Sequence, residues 1–193
     1  MSFRRGHSLC LLLALFVSPC LAQQTGREQE LDLTLAQETK AKYLFKLTRY
    51  VRWPDGRFQD DGAPWVIGVL GDDPFGKTLD DVVAGQTVRG RGFEIRRFSR
   101  PETVDDELRA CHVVWVSGSR ELRLLDSLHD TGVLTVSDID RFAERGGIVG
   151  LVLHPELGVI RPRVNRHASG RAGLRLYAKL LHLATIVELE DRE

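Results

Sequence analysis

Apolar positions along this chain fall into short runs that switch between two periods. The stretch Val133–Leu153, VLTVSDIDRFAERGGIVGLVL, shows the switch most clearly. Val133 to Val136 is a short β-branched run, and Ser137 or Asp138 after it can cap a helix. Ile139, Phe142 and Ala143 then recur at i, i+3 and i+4, which makes one face of a short helix apolar. Gly146-Gly147 ends it, because glycine takes the left-handed conformation at little steric cost. Ile148 to Leu153 follows as an unbroken apolar run. A strand that is apolar on both faces needs cover on both faces. The stretch therefore predicts a strand–helix–strand unit inside a layered α/β sheet.

The same pattern extends both ways. Gln23 to Asp32 is polar and predicts a flexible lead-in. Leu33 to Val51 has helical periodicity, with Leu33, Ala36, Leu44, Leu47 and Val51 on one face. The aromatic set Tyr43, Phe45, Tyr50 and Trp53 reads as core. Trp65–Leu70 predicts a strand. Asp72 or Asp73 then caps a helix from Pro74, whose buried stripe is Phe75, Leu79, Val82 and Val83. Phe93–Phe98 alternates, which suits a half-exposed strand near the sheet edge. A short helix over Val104–Arg109 leads to a strand over His112–Val116. Ser117-Gly118-Ser119 opens a helix with Leu122, Leu125 and Leu128 inward. The loop His154–Gly158 is short enough to force a hairpin, so one strand runs antiparallel. Pro162 cannot donate to a ladder and places that strand at an edge. Ser169 caps a last helix carrying Ala172, Leu176, Leu180 and Leu183. The expected fold is α/β: a single three-layer α/β/α domain over residues 33–187. Its sheet is mostly parallel, with five to six strands and one antiparallel edge hairpin. Residues 188–193 form a charged tail.

Charge and composition narrow the function. The formal net charge is +0, and nucleic-acid binding needs a clear basic excess. Residues 1–22 look like a cleaved secretory signal. Arg4, Arg5 and His7 precede the apolar run Leu9–Val17, and Pro19-Cys20-Leu21-Ala22 supplies a small-residue cleavage site before Gln23. A lipoprotein anchor at Cys20 fits less well, because Pro19 directly precedes it. Cys10 and Cys20 leave with the signal, so Cys111 alone remains. It is either a buried small hydrophobe at a strand start or a redox-sensitive thiol.

Catalytic patterns are missing from the sequence. There is no GxGxxG, no phosphate loop and no GxSxG elbow. None of the mature histidines His112, His129, His154, His167 and His182 pairs with another ligand at metal spacing. The reading is therefore of a non-enzymatic protein with no cofactor and no metal. One cluster remains: Arg161, Arg163, Asn165, Arg166, His167, Arg171 and Arg175. Arg161 and Arg163 share a strand face by period two. Arg166, His167 and Arg171 surround the start of the last helix, whose dipole favours anions. The cluster is a candidate site for a partner surface or an anion. A small ligand in a crevice at the strand C-termini is the rival expectation.

Five segments occur in order along the mature chain: AKYLFKLTRYVRWP, IGVLGDDPFG, CHVVWVS, LTVSDIDRFAERGGIVGLV and VNRHASGRAGLRLYAKLLHLA. Together they resemble the YfiR family. That resemblance implies a periplasmic α/β protein without catalytic activity, which represses a membrane-bound diguanylate cyclase by binding its periplasmic sensor domain. The partner would be such an inner-membrane cyclase or another sensor, and cyclic-di-GMP and biofilm would be the output. It also implies a homodimer, and disulfides that stabilise the fold. This chain departs on the last point, since Cys111 matches a family cysteine but has no mature partner. It also carries Tyr177-Ala178-Lys179 where a serine commonly precedes the lysine.

Overall fold

Thirty-two residues of helix open the described chain: α1 spans Pro19–Tyr50 and runs into β1 (Val51–Arg52). Then come β2 (Trp65–Leu70), α2 (Lys77–Val83), β3 (Phe93–Phe98), α3 (Asp106–Arg109), β4 (Val113–Val116) and β5 (Leu134–Ser137). The chain continues through β6 (Val149–His154), β7 (Val159–Asn165), α4 (Arg166–Arg171), β8 (Arg175–Leu176), α5 (Ala178–Leu183) and β9 (Thr185–Val187). This computed structural model describes residues 19–99, 106–154 and 159–187, with side chains from residue 32 onward. Most of the expected signal, part of the hairpin loop and the charged tail lie outside the described residues. Residues 36–193 form one compact unit, and those through 35 form another.

The sheet has seven strands in the order β3-β2-β4-β5-β6-β7-β9. It is parallel from β3 to β6, with β2 flanked by β3 and β4. β6 and β7 form the antiparallel hairpin, Val149 opposite Val164 and His154 opposite Val159. β9 then adds parallel to β7. A two-stranded ribbon pairs β1 with β8. The α/β/α expectation holds.

Alternation along β2 shows why its run is unbroken. Trp65, Ile67 and Val69 enter one buried cluster with Ala41, Leu44 and Leu47 of α1. Val66 and Leu70 enter the other, with Leu108, Leu124, Leu128 and Phe142. Both faces are covered, so both parities are apolar. β3 is half-exposed at the sheet edge, as its alternation predicts.

Several helices come out shorter than the pattern suggests. The backbone is helical from Pro19, so α1 starts well before Leu33, and the polar lead-in 23–32 is helical. Its buried stripe begins at Ala41. α2 starts at Lys77, although Asp73 does accept from the Phe75 N–H at 2.8 Å. The Leu122/Leu125/Leu128 segment forms two 3₁₀ turns, Glu121–Leu124 and Asp126–Leu128. Its spacing of three is the 3₁₀ period itself, where side chains at i and i+3 eclipse. The segment after Ser137 is a run of turns, because Arg141 takes φ 53° and breaks the helical path. Ser137 Oγ still accepts from the Ile139 N–H at 3.0 Å, and Gly146 at φ 101° closes the segment.

Two corrections concern the C-terminal third. The expected long last helix is split into α4, β8, α5 and β9. Gly173 at φ 70° stops α4, and Leu176 pairs with Val51 instead of continuing a stripe. Asn165, not Ser169, caps α4, its side chain accepting from the Ala168 N–H at 2.8 Å. Nor is β7 an edge strand. β9 pairs with Arg163–Asn165 alone, so Pro162 sits just beyond the paired stretch and costs no ladder bond there.

Candidate functional site

The predicted arginine cluster falls on three elements, β7, α4 and β8. Asn165 is fully buried and structural, capping α4 and donating from Nδ2 to the Ala143 carbonyl at 2.8 Å. Arg163 pairs with Glu144, which is only 16% exposed. Arg166 and His167 are exposed on the first turn of α4, and Arg171 is exposed at its end. Arg175 lies on the β1–β8 ribbon opposite Arg52. Arg161 is exposed on β7. Arg171 and His167 both act on the His129 ring, so these two α4 positions share one neighbourhood, and α4 has six residues.

What the topology does build is a groove where β7 runs on past the start of β9. α1 forms one wall, α5 another and β7 the floor, around a cavity of about 590 Å³. Tyr43, Leu47 and Tyr50 stand on one stripe of α1, and Ile160, Pro162 and Leu180 complete the apolar lining. Tyr43 Oη donates to the Ile160 carbonyl at 2.8 Å, which occupies the exposed backbone acceptor of that strand edge. Burial raises the Tyr43 pKa, so the phenol stays a neutral donor. Lys46, Arg161 and His182 border the groove, and among the described residues no carboxylate does. Arg161 lies on the opposite strand face from Ile160 and is among the residues that line the groove. Sequence reasoning read Tyr43 and Tyr50 as core and did not single out Lys46 or His182. The signal was present as Tyr43, Lys46, Leu47 and Tyr50, spaced i, i+3, i+4 and i+7.

A second polar centre is closed. His112 is 4% exposed, and its Nδ1 accepts from the Val66 N–H at 3.0 Å. The ring proton is therefore on Nε2, which has no partner in its buried position among the described residues. Phe58 stacks on the imidazole at 4.3 Å, and Trp65 meets it edge-on at 5.2 Å. Trp53 Nε1 donates to the His112 carbonyl at 3.2 Å. Burial, then the charges of Arg57 and Arg91, bring the His112 pKa down to about 3. Arg57 is spent on backbone: Nη2 donates to the Arg109 and Cys111 carbonyls, each at 2.5 Å. The Cys111 thiol is fully buried and contacts the Glu107 carbonyl at 3.5 Å. A Cβ on Gly68 would come within 2.9 Å of that sulfur, so β2 presses on it directly. The geometry is that of a packed small hydrophobe.

The crevice expected at the strand C-termini is filled between β2 and β4. Glu121 is 6% exposed there. A Cβ at Gly118 would come within 2.3 Å of its carboxylate, and one at Gly71 within 3.2 Å of its side chain. Among the described residues, no group of three or more His, Cys, Asp or Glu is placed to hold a metal ion.

Comparison with known proteins gives one result. A family model described as YfiR/HmsC-like matches residues 37–185, from the buried part of α1 to the first residue of β9. No curated protein matches the chain.

Proposed function

Because the chain belongs to the YfiR/HmsC-like family, we propose that it is an exported periplasmic regulator whose output is a protein contact. It binds the periplasmic sensor domain of an inner-membrane signalling protein, a diguanylate cyclase, and holds it inactive. The repression comes from tighter binding to the inactive state than to the active one, since a ligand shifts an equilibrium only by its differential affinity. The family match carries this reading.

One surface suits such a contact. At the outer end of the hairpin, Val152, Leu153 and Val159 are 36%, 40% and 44% exposed. Exposed apolar side chains grouped beside charged ones are the usual mark of an interaction surface, and Arg161 stands opposite Val152. The test is co-purification of the mature chain with the outer domains of inner-membrane sensors, together with cyclic-di-GMP levels in a deletion strain. Capture of a cyclase domain and a rise in cyclic-di-GMP are expected. If no sensor is captured and the level stays unchanged, the reading fails. Val152→Asp with Leu153→Asp should lose capture while the chain stays folded.

A further inference from the structure

We infer that the groove between α1, β7 and α5 is a binding site for a small amphipathic acid, with an anionic head and an apolar body. This goes beyond the regulatory reading and stands whether or not a membrane sensor is bound. Three observations meet at this place. The cavity, about 590 Å³, lies within the range of sites that hold small ligands, which are concave, mostly apolar and carry few polar groups. Its floor is set by Tyr43, Leu47, Tyr50, Ile160 and Leu180, three of them part of the main core cluster. Leu47, Ile160 and Leu180 are nearly fully buried, and the half-buried Tyr43 and Tyr50 over them offer the apolar surface a hydrocarbon or ring would meet.

The charge around the rim has one sign. Lys46 and Arg161 carry permanent positive charge, His182 adds a ring donor, and no Asp or Glu lines the groove among the described residues. Elsewhere the same chain pairs its cations: Lys40 with Asp138, Lys42 with Glu38 and Arg163 with Glu144. Among the described residues Lys46 and Arg161 form no such ion pair, although Lys46 also borders a neighbouring cavity that Glu38 and Asp81 line. A cation beside an apolar pocket favours a ligand that supplies the missing anion and fills the pocket together. A purely ionic ligand would leave the floor wet, and a neutral lipid would leave both cations unanswered. The strand edge does not compete for the space. Pro162 has no N–H to offer, and Tyr43 Oη already occupies the Ile160 carbonyl. An added β-strand is thus a poor occupant.

The probe is 8-anilinonaphthalene-1-sulfonate, whose fluorescence rises in an apolar site, titrated into the mature folded chain. Saturable one-site binding is expected. Dodecanoate should displace the probe, and dodecyltrimethylammonium, with the same chain and the opposite head, should not. Arg161→Glu and Lys46→Glu should each weaken binding by about tenfold or more, the weight of one charge-assisted contact. Both positions are exposed, so circular dichroism should show both variants folded. Leu183→Asp, at a position 64% exposed, should weaken binding through the apolar rim. The inference is overturned by a lack of saturable probe binding, by equal displacement with the cationic amphiphile, or by wild-type affinity in the Arg161→Glu, Lys46→Glu double variant. It is also overturned if the chain sediments with phosphatidylglycerol vesicles through Arg161 yet binds no dodecanoate in solution, because the site would then read a membrane and not a free acid.

Discussion

Two regions of this protein set cations against aromatic rings, and they use the charge in opposite ways. Around His112, Arg57 and Arg91 are consumed by the fold. Arg57 closes backbone carbonyls of the β4 entry, and Arg91 lies 4.1 Å over the Phe58 ring while donating to the Ala63 carbonyl at 2.8 Å. At the groove, Lys46 and Arg161 line the same cavity as Tyr43 and Tyr50 and form no ion pair among the described residues. A buried polar group is expensive unless it is bonded, so Arg57 and Arg91 spend their donors on backbone carbonyls there. An exposed cation has no such constraint, so the second is available to a partner. Charge alone does not tell the two apart. Burial and the count of internal acceptors do.

The sharpest way to break this contrast is to open the closed region. Trp65 is fully buried and meets Trp53 at 4.9 Å and Phe58 at 4.8 Å. Trp65→Ala should cost about 3–5 kcal/mol, the usual range for emptying a large core site, and urea unfolding reads it. A loss below about 1 kcal/mol would mean the aromatic packing contributes little.

The next effect is one of pH. The folded His112 pKa lies near 3, below the ordinary 6.5, so as pH falls the unfolded chain binds the proton first. The stability this group contributes is complete above about pH 6.5 and is lost progressively as pH drops towards 3. The slope approaches about 1.4 kcal/mol per pH unit across that window. Carboxylates titrate there too, so the reading is the difference between wild type and His112→Asn, whose side-chain oxygen can still accept from Val66. The variant should be less stable at neutral pH and show a shallower acid slope. Parallel slopes would rule out a neutral buried imidazole.

Arg57→Ala comes next. It strips donors from the Arg109 and Cys111 carbonyls and from the Gly132 carbonyl, which Nε reaches at 3.3 Å. Two of these acceptors are part-buried and the Arg109 carbonyl is exposed, so the loss should be about 1 kcal/mol, the low end for an unpaired acceptor, and Arg57→Lys should recover only part of it, since one ammonium cannot span all three. Gly147→Ala should cost at least as much. Its Cβ would fall 2.1 Å from the Phe142 ring, and overpacking a fixed core typically costs about 1–3 kcal/mol. Thermal unfolding of the two variants measures both.

The closed region was also the more legible in the sequence. Runs apolar at both parities marked β2 and β4, where burial on two faces leaves a mark at every position; in β6 the same run is covered only as far as Leu151, and Val152 and Leu153 are exposed. Helices fared worse where the chain had room for only one turn. Ile139, Phe142 and Ala143 pack inward as their spacing requires, yet the backbone there is turns, since a buried face constrains side chains without fixing the hydrogen-bond pattern. Ala172, Leu176, Leu180 and Leu183 gave a strong helical stripe, and the positive φ at Gly173 broke it into pieces that face different neighbours. The arginine cluster, near in sequence, falls on three elements, β7, α4 and β8, while the groove joins α1 to residues more than a hundred positions later, as Tyr43 and Ile160 show.

The smallest effect separates two arginines on one strand and one strand face. Arg163 pairs with Glu144, whose side chain is 16% exposed. Removing the arginine strands that carboxylate, so Arg163→Ala should cost roughly 1 kcal/mol, above the usual worth of a surface pair. Among the described residues Arg161 meets no carboxylate, and Arg161→Ala should change stability by less than about 0.5 kcal/mol. The two sit two residues apart in a strand, so propensity and strand position cancel between them. Only the partner differs. Chemical unfolding of both variants at low and at high salt reads the contrast, since screening weakens an ion pair: the Arg163→Ala deficit should shrink in salt and the Arg161→Ala value should not move. Equal costs would mean that Arg161 is held by the fold after all, and the groove would lose the charge that marks it as open to a ligand.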